Sequence, residues 1–361
     1  LQNYTELLEK SILTKKSLME NNIQPLIDQL KSPSNVIITT HAKPDGDAMG
    51  SSLALYHFLK AQGHFVRVII PDAYPGFLAW LPGINNSINF ELEEIKAEKL
   101  ISEAKVIFSL DYNALSRVNK LGDAIATSAA SKVLIDHHLK PDAFDDYRLW
   151  DSNACSTCEL IYDYILQAGS IDDINKDIAD NIYTGIMTDT GSFRFPSTTS
   201  KVHRIIANLI DKGSLVGQIH QNVYDSYTEN RLRFIGHILK EKMTIVHEYN
   251  MAYIAITSEE RKKYNLVGGD TEGLVNYPLS MKNIKMAVMI TDRTPDGATE
   301  KTVRMSFRSQ GDIAVNEIAS NHFSGGGHKN AAGGTSDRDI DTTVQELLDI
   351  LPKYKSTLQD D

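Results

Sequence analysis

The sequence has few cysteines and no long apolar segment. Only Cys155 and Cys158 occur among its 361 residues, which excludes a disulfide framework and indicates a reducing compartment. It contains no run of 18 apolar residues, so no membrane-spanning helix of ordinary length is predicted. The first four residues lack the basic and then apolar pattern of a signal peptide. We therefore expect a cytoplasmic protein without a membrane partner.

The sequence also lacks an excess of positive charge. It has 37 Lys and Arg against 47 Asp and Glu, a formal net charge of −10. Proteins that bind long nucleic acid need a broad basic face, because contacts to phosphates supply much of the affinity. The composition therefore argues against long nucleic acid as a partner. The composition does not exclude a small anionic ligand, since a bound metal ion can reverse the local charge.

The length and the order of segments predict two domains. A single core rarely extends over so long a chain. Short β-branched segments alternate with helical stretches in the first part, which predicts a parallel sheet with helices on both faces. The strands predicted here are 35–40, 65–70, 106–110 and 132–135. The predicted helices are 5–31, 50–62, 156–168, 175–188, 199–212 and 216–222.

A change of pattern marks a second, smaller α+β domain. Amphipathic, charged residues predict a connecting helix before it, and the strands beyond that helix come in pairs. Residues 294–297 (TPDG) are a strong turn signal between the last two strands. The predicted strands are 243–247, 251–256, 284–291 and 302–308. The expected division is an α/β domain over 1–227, a linker helix over 228–242 and the α+β domain over 243–361.

Histidine and aspartate residues collect where the predicted elements end. One group follows the first strand, one residue follows the third strand, Asp136-His137-His138 follows the fourth strand, and one residue closes a helical stretch. Each alone has a structural explanation, such as a helix cap. Ligands bind beyond the carboxyl ends of parallel strands, so we expect these side chains to converge. The expected metal ligands are His41, Asp45, Asp47, Asp111, His137 and Asp189.

The chemistry of this set indicates the metal. Four carboxylates and two imidazoles without a thiolate favour Mn²⁺ or Mg²⁺ over a structural zinc ion. Six side chains exceed the needs of one ion that keeps open positions. The set therefore predicts two divalent cations, ~3.5–4 Å apart, that share a bridging carboxylate.

In this order the motifs resemble those of the DHH phosphoesterases. Residues 323–333 (FSGGGHKNAAG) resemble the glycine-rich signature of the DHHA1 domain. The resemblance extends from about 35 to 340 and is strongest to the nano-RNase/pAp phosphatase branch, which acts on very short oligonucleotides and 3′,5′-bisphosphonucleosides. It implies hydrolysis of a phosphate ester by a hydroxide that bridges two metal ions. Mn²⁺ is the expected ion, with Mg²⁺ as the alternative, and a homodimer is the expected assembly.

The resemblance also implies individual roles in the first domain. The implied ligands of one metal are His41, Asp45 and Asp111, and those of the second are Asp47, Asp111, His137 and Asp189. Asp111 would bridge the two ions. Asp136 would orient a ligand imidazole. His138 would contact a phosphate oxygen or help the leaving group depart, so Asp111, Asp136 and His138 are the expected catalytic residues.

The second domain is expected to bind the rest of the substrate. Arg308 is the first choice for a bidentate phosphate clamp, and Arg304 is the second. Glycines let a backbone approach a phosphate closely, and their N–H groups can form an anion nest. Many relatives have a fourth glycine where Ser324 stands here. The expected substrate-binding residues are His138, Arg304, Arg308, Ser309, Gly325, Gly326, Gly327 and His328.

Several alternatives share the first domain. A family II inorganic pyrophosphatase or an exopolyphosphatase uses the same ligands but a different basic signature in its second domain. A RecJ-like exonuclease is longer, and membrane-bound cyclic-dinucleotide phosphodiesterases have additional segments, although soluble relatives cleave dinucleotides. A catalytically silent nucleotide-binding module is the alternative from another class, and the intact ligand set argues against it.

Three other features have weaker interpretations. Arg117 either reaches the substrate or braces the loop after Asp111, and bracing is the expected role. Cys155 and Cys158 have no second cysteine pair with which to complete a zinc site. Phe77 and Trp80 either pack in the protein or stack on a base.

Overall fold

The computed structural model describes residues 23–266, 269–271, 273–295 and 297–359. The chain divides between Ser226 and Tyr227 into two units. Of the helix predicted over 5–31, residues 5–22 lie outside the described part, and helix α1 spans Gln24–Gln29. Asp296 of the predicted turn also lies outside it.

The first unit contains a six-stranded sheet in which every pairing is parallel. The strands are β1 (Asn35–Thr40), β2 (Phe65–Ile70), β3 (Ser87–Asn89), β4 (Val106–Leu110), β5 (Ser131–Asp136) and β6 (Tyr147–Trp150). Their order is β3-β2-β1-β4-β5-β6. The chain moves outward from β1 to β3 and then returns to β4 on the other side of β1. The strand order thus reverses between β1 and β4, where open α/β sheets bind their ligands.

Helices cover both faces of this sheet, as the sequence predicts. They are α2 (Gly46–Ala61), α3 (Glu94–Ser102), α4 (Leu121–Thr127), α5 (Thr157–Ala168), α6 (Lys176–Asp189), α7 (Ser200–Asp211) and α8 (Val216–Tyr224). Val36 and Ile38 of β1 pack with residues of α2, α5 and α6, whereas Ile37 packs with residues of α3 and α4. Alternate side chains of a strand point to opposite faces, so the two cores lie on opposite sides of the sheet.

Helix α2 begins at Gly46, four residues before the start predicted from the sequence. Glycine is a poor helix former, so Gly46 and Gly50 favour a loop in the sequence pattern. In the structure these glycines let α6 approach closely. A Cβ on Gly46 would lie 2.4 Å from Thr188 Oγ1, and one on Gly50 would lie 2.5 Å from Asn181 O.

The sequence analysis did not predict β3 and β6. Both are edge strands of the first sheet, of three and four residues. Such short segments carry too little alternation to be distinguished from loops.

The second unit contains a six-stranded mixed sheet, which confirms the predicted α+β domain. Its strands are β7 (Met243–Val246), β8 (Met251–Ile256), β9 (Met286–Asp292), β10 (Val303–Ser309), β11 (Gly326–His328) and β12 (Ala331–Ser336). Their order is β11-β12-β10-β9-β8-β7. The β8–β9 pairing is parallel and the others are antiparallel. The helices are α9 (Glu229–His237), α10 (Ser258–Lys263), α11 (Val315–His322), α12 (Ile340–Ile350) and α13 (Lys355–Gln359).

The two faces of the second sheet are covered by different helices. Met305 and Phe307 of β10 pack in a core with residues of α11 and α12. On the opposite face, Ile254 of β8 and Met289 of β9 pack with Phe234 of α9. Helix α9, which lies within the predicted linker 228–242, is therefore part of the core of the second unit.

Within the described ranges, no helix has both the length and the apolar character that crossing a membrane requires.

Candidate functional site

The predicted ligands of the first unit converge beside the reversal of the sheet. His41 and Asp45 follow β1, Asp111 follows β4, and His137 follows β5. Asp47 lies in the first turn of α2 and Asp189 is the last residue of α6. Parallel strands place their carboxyl ends at one edge, which explains how residues so far apart in sequence meet.

Asp111 lies at the centre of this site. Its Oδ2 is 3.4 Å from His41 Nε2, and its Oδ1 is 3.5 Å from His137 Nε2. The residue is 1% exposed, and its backbone adopts a left-handed conformation with φ 64°. That conformation is strained for a residue other than glycine, and such strain concentrates at functional sites. The two oxygens of one carboxylate therefore face two separate imidazoles.

Asp45 contributes to the first side of the site and also caps α2. Its Oδ1 accepts hydrogen bonds from Asp47 N at 3.0 Å and Ala48 N at 3.1 Å. Its Oδ2 lies 3.9 Å from His41 Nε2. The N-cap of α2 is thus Asp45.

Asp47 and Asp189 lie on the other side, around His137. The Nε2 atom of His137 is 3.8 Å from Asp47 Oδ2 and 3.4 Å from Asp189 Oδ2. Asp47 is buried and Asp189 is partly exposed. The potential ligand atoms of His41, Asp45 and Asp111 lie within 4.8 Å of one another, as do those of Asp47, Asp111 and His137.

The N-terminus of α5 holds the two central carboxylates, a feature that the sequence analysis missed. Thr157 N donates to Asp47 Oδ2 at 2.6 Å, and Cys158 N donates to Asp47 Oδ1 at 2.9 Å. The Thr157 hydroxyl donates to Asp111 Oδ1 at 3.0 Å. Unpaired N–H groups and the helix dipole favour negative charge at a helix N-terminus. In the sequence, the residue that could have indicated this helix N-terminus is Ser156, whose side chain caps the helix.

Backbone carbonyl groups orient both imidazoles toward the carboxylates. His41 Nδ1 is 2.9 Å from Ala42 O, and His137 Nδ1 is 3.3 Å from Ala154 O. A carbonyl oxygen only accepts, so Nδ1 carries the proton in both contacts. Nε2 is then the atom that can bind a metal ion.

Asp136 contacts His138 rather than an imidazole of the expected ligand set. Its Oδ1 lies 2.8 Å from His138 Nδ1, and the residue is fully buried. The Trp150 indole donates to the backbone carbonyl of His138 at 2.7 Å. These contacts determine the orientation of the His138 ring, which lies next to Asp111 with Nδ1 3.6 Å from Oδ1.

The proximity of these charged groups shifts the pKa values of Asp47, His41 and Asp111. Burial and the neighbouring Asp111 carboxylate raise the pKa of Asp47 to about 7. Burial lowers the pKa of His41, but the hydrogen bond with Asp111 and the charge of Asp45 outweigh it and raise the pKa to about 9. Burial raises the pKa of Asp111, but contacts with His137 and His41 outweigh it and hold the pKa well below its usual range. Near neutral pH, a cation must displace protons from this site.

The residues present fit divalent cations. Several carboxylates converge where little water is available to solvate them, and burial of such charge without compensation is costly. Oxygen ligands with a few imidazoles suit hard or borderline divalent ions. Since Asp111 belongs to both groups of potential ligands, the arrangement fits two neighbouring ions.

The weaker features of the first unit have structural explanations. Cys155 and Cys158 are buried, and burial raises the pKa of both thiols, so neither forms the reactive thiolate. Phe77 and Trp80 pack against the core of the first unit. Arg117 O accepts a hydrogen bond from Ala42 N at 2.8 Å, so its backbone braces the loop after β1.

The predicted arginines of the second unit lie on the face of β10 opposite its core. Arg304 and Arg308 alternate with the buried Val303, Met305 and Phe307. Arg308 pairs with Ala331 of β12, which in turn pairs with His328 of β11. Cross-strand partners project to the same face, so Arg308 and His328 flank a small residue in one row.

The glycine run forms an edge strand. Gly325 N donates to Ala319 O at 3.1 Å, and a Cβ on Gly325 would lie 2.0 Å from Gly333 O. Gly327 has φ 142°, and its Cβ would lie 2.5 Å from Ala331 O. Close strand packing therefore requires these two glycines. Gly326 is exposed, with open space where its side chain would be.

Ser309 lies on the face of β10 opposite Arg308. It is buried, and its hydroxyl donates to Ile313 O at 2.7 Å and accepts from Asn330 Nδ2 at 2.9 Å. This residue holds the turn after β10 and does not share the face of Arg308, and its role in substrate binding stays a prediction.

The parallel sheet, the acidic site at its reversal and the mixed sheet that follows define a class of metal-dependent, two-domain phosphoesterases. The family profile "DHH family, N-terminal domain" matches residues 35–186, and the profile "DHHA1 domain" matches residues 248–356. The chain belongs to the DHH family, with a C-terminal DHHA1 domain.

Relatives cover most of the chain. The bifunctional oligoribonuclease and PAP phosphatase NrnA of Thermus thermophilus is 29% identical over 87% of this chain and 88% of that protein. The protein of the same name from Bacillus subtilis is 26% identical over 85% of this chain and 91% of that protein. The crystal structure of an exopolyphosphatase-related protein from Bacteroides fragilis has 39% sequence identity and a TM-score of 0.87. It covers 93% of this chain and 98% of that chain.

Thr157 provides a first test of the site. We expect Thr157→Val to weaken Mn²⁺ binding by about 10-fold or more, because Asp111 loses the hydroxyl that orients it. Isothermal titration calorimetry measures this. Thr157→Ser keeps the hydroxyl and is the matched control. Equal affinities in the Val and Ser variants would show that the hydroxyl does not contribute.

The affinity for divalent cations should rise with pH. Asp47, with a pKa of about 7, and His41, with a pKa of about 9, hold protons that a cation must displace. Mn²⁺ should therefore bind more weakly at pH 6 than at pH 8 and release protons on binding. Titrations in two buffers of different ionisation enthalpy count those protons. Affinity that does not change between pH 6 and 8 would contradict this account.

Proposed function

We propose that this chain is a Mn²⁺-dependent hydrolase. It releases mononucleotides from very short oligonucleotides and phosphate from 3′,5′-bisphosphonucleosides such as pAp. The observation that carries the proposal is the position of Asp111, whose two oxygens face His41 and His137 separately. The NrnA relatives, named as oligoribonucleases and PAP phosphatases, support this substrate class.

The proposed ligand sets follow the two sides of Asp111. The first set is His41, Asp45 and Asp111, and the second is Asp47, Asp111, His137 and Asp189. When bound, two divalent cations would polarise the phosphoryl oxygens and lower the pKa of a water between them. The α5 N-terminus keeps Asp47 and Asp111 oriented for both sets through Thr157.

His138 is the proposed substrate-contacting imidazole of the first unit. Asp136 binds its Nδ1 at 2.8 Å, which makes Nε2 the atom for a phosphate oxygen or for the leaving group. Asp136 acts through His138 and is therefore a positioning residue.

The second unit is proposed to bind a substrate phosphate on the open face of β10, β12 and β11. Arg308 and His328 supply the donors, and the small Ala331 between them leaves room for an anion. Gly326 lies on the same face, because it pairs with Gly333 and through it with Ser306. Arg304 extends the positive charge along β10.

Residues 1–227 are assigned to catalysis and 243–361 to substrate binding. Residues 228–242 join them in sequence, and their helix α9 packs in the core of the second unit. A homodimer in the cytoplasm is the proposed assembly.

Turnover by the purified protein tests the assignment. With Mn²⁺, we expect cleavage of pApA to mononucleotides and release of phosphate from pAp. Asp111→Asn should reduce both activities by at least about 100-fold, because both proposed metal sites share this carboxylate. Asp172→Asn, on the surface, is the control. Phosphate release from pyrophosphate or polyphosphate, with both nucleotides left intact, would make the assignment wrong.

Arg308 tests the binding role of the second unit. Arg308→Gln should raise KM for pApA by about 10-fold or more, since the variant cannot form a charge-assisted hydrogen bond to phosphate. Mn²⁺ affinity should stay unchanged. Arg338→Gln removes an exposed arginine of the same unit and is the control. An unchanged KM in the Arg308 variant would remove this residue from the binding site.

A further inference from the structure

Two arginines at the end of β9 have no part in the proposed function. Arg261 lies on α10 and Arg293 follows β9 directly. They line a cavity of about 410 Å³ together with Lys262, Asn265 and Thr294. Its lining is mostly polar and carries positive charge.

Both guanidinium groups have buried N–H groups that are not fully hydrogen-bonded. The Nε atoms of Arg261 and Arg293 are buried and have no hydrogen-bond partner in the part of the chain that the structure describes. Their other contacts are long, 3.4 Å from Arg261 Nη1 to Asp292 O and 3.4 Å from Arg293 Nη2 to Thr271 Oγ1. Among the described residues, no carboxylate forms an ion pair with either arginine.

Two neighbouring acidic groups, Asp292 and Glu260, have other partners. The Asp292 carboxylate accepts hydrogen bonds from Thr294 and Ser258. Glu260, on the same helix as Arg261, pairs with Lys242 at 2.7 Å and His237 at 3.0 Å. These contacts leave the positive charge of the two arginines without a counter-ion from these side chains.

Arg304 adds to this charge. Burial, together with the charges of Arg261 and Arg304, lowers the pKa of Arg293 to about 10. Grouping partly buried guanidinium groups without a counter-ion is unfavourable. Proteins accept such arrangements where a ligand supplies the missing charge, and guanidinium groups bind phosphate in a bidentate manner.

The register of the sheet separates this cluster from Arg308. Arg293 N donates to Thr302 O, so Arg293 lies beside residue 302 at the start of β10. Arg308 is six positions further along that strand, ~20 Å away at 3.3–3.4 Å per residue. Arg304, on the same face as Arg308, lies between them. One phosphate therefore cannot contact both Arg293 and Arg308.

We propose that Arg261 and Arg293, with Arg304, form a second phosphate subsite for a backbone phosphate of the oligonucleotide whose other phosphate lies at Arg308. This inference rests on the proposed function. Stacked single strands advance about 3.4 Å per nucleotide, so about six stacked nucleotides, or fewer extended ones, connect the two positions. A dinucleotide is too short. The subsite therefore favours the longer among the short substrates.

Binding without turnover tests the subsite. Fluorescence anisotropy of 3′-fluorescein-labelled hexaadenylate and diadenylate is measured in EDTA, which prevents metal-dependent cleavage. Arg261→Gln combined with Arg293→Gln should weaken hexaadenylate binding by about 10-fold and diadenylate binding by less than about twofold. The slope of log affinity against log salt should also fall by about 0.7 for each phosphate that the variant no longer neutralises.

The controls separate binding from folding. Arg233→Gln removes an exposed arginine that pairs with Glu229 and should change neither affinity. Because the two arginine charges repel each other, the double variant should have an unchanged or higher Tm, whereas a structural role predicts a lower Tm. Arg293→Lys retains the charge and should recover part of the hexaadenylate affinity.

The outcomes distinguish this inference from the proposed function. Equal hexaadenylate affinity in wild type and double variant, an equal loss for both oligonucleotides, or a wild type that does not bind hexaadenylate would each overturn the subsite. Turnover of pApA and pAp by the wild type is judged separately. A wild type that cleaves neither, but shows the length-dependent loss of binding, would overturn the proposed function alone.

Discussion

The sharing of the Asp111 carboxylate between two imidazoles is the interaction on which the first unit depends. Its oxygens lie 3.4 Å from His41 Nε2 and 3.5 Å from His137 Nε2, and its strained backbone directs it between them. Buried carboxylates would repel one another at this position. The arrangement is tolerable because imidazoles and helix N–H groups surround them, and because the site fits cations.

Helix α5, whose N-terminus holds Asp47 and Asp111, also explains why glycines surround the site. A Cβ on Gly185 would lie 2.2 Å from Cys158 Sγ and 2.8 Å from Asp47 Oδ1. Helices α2, α5 and α6 therefore meet at the acidic side chains with no room for a methyl group. Packing and chemistry are determined by the same contacts here, so a change to either affects both.

Most of the fold and the convergence of the candidate ligands could be predicted from the sequence, since both follow from patterns along the chain. Strand β1 and the motif after it were recognisable because a β-branched run precedes His41 and Asp45. The contribution of Thr157 was not, because its partner Asp47 is 110 residues away and no local pattern records that pairing. The start of α2 was misplaced because Gly46 serves interhelical contact rather than a turn. The arginine pair was overlooked because lone arginines usually lie on solvated surfaces.

The wide spacing of the acidic residues has a consequence for biosynthesis. The site draws on residues from His41 to Asp189, and its supporting hydrogen bonds join α2 to α5 across more than a hundred positions. Contacts of such long range form late in folding. A nascent chain cannot assemble the centre until α6 has left the ribosome, so ion uptake cannot precede the synthesis of residues up to Asp189.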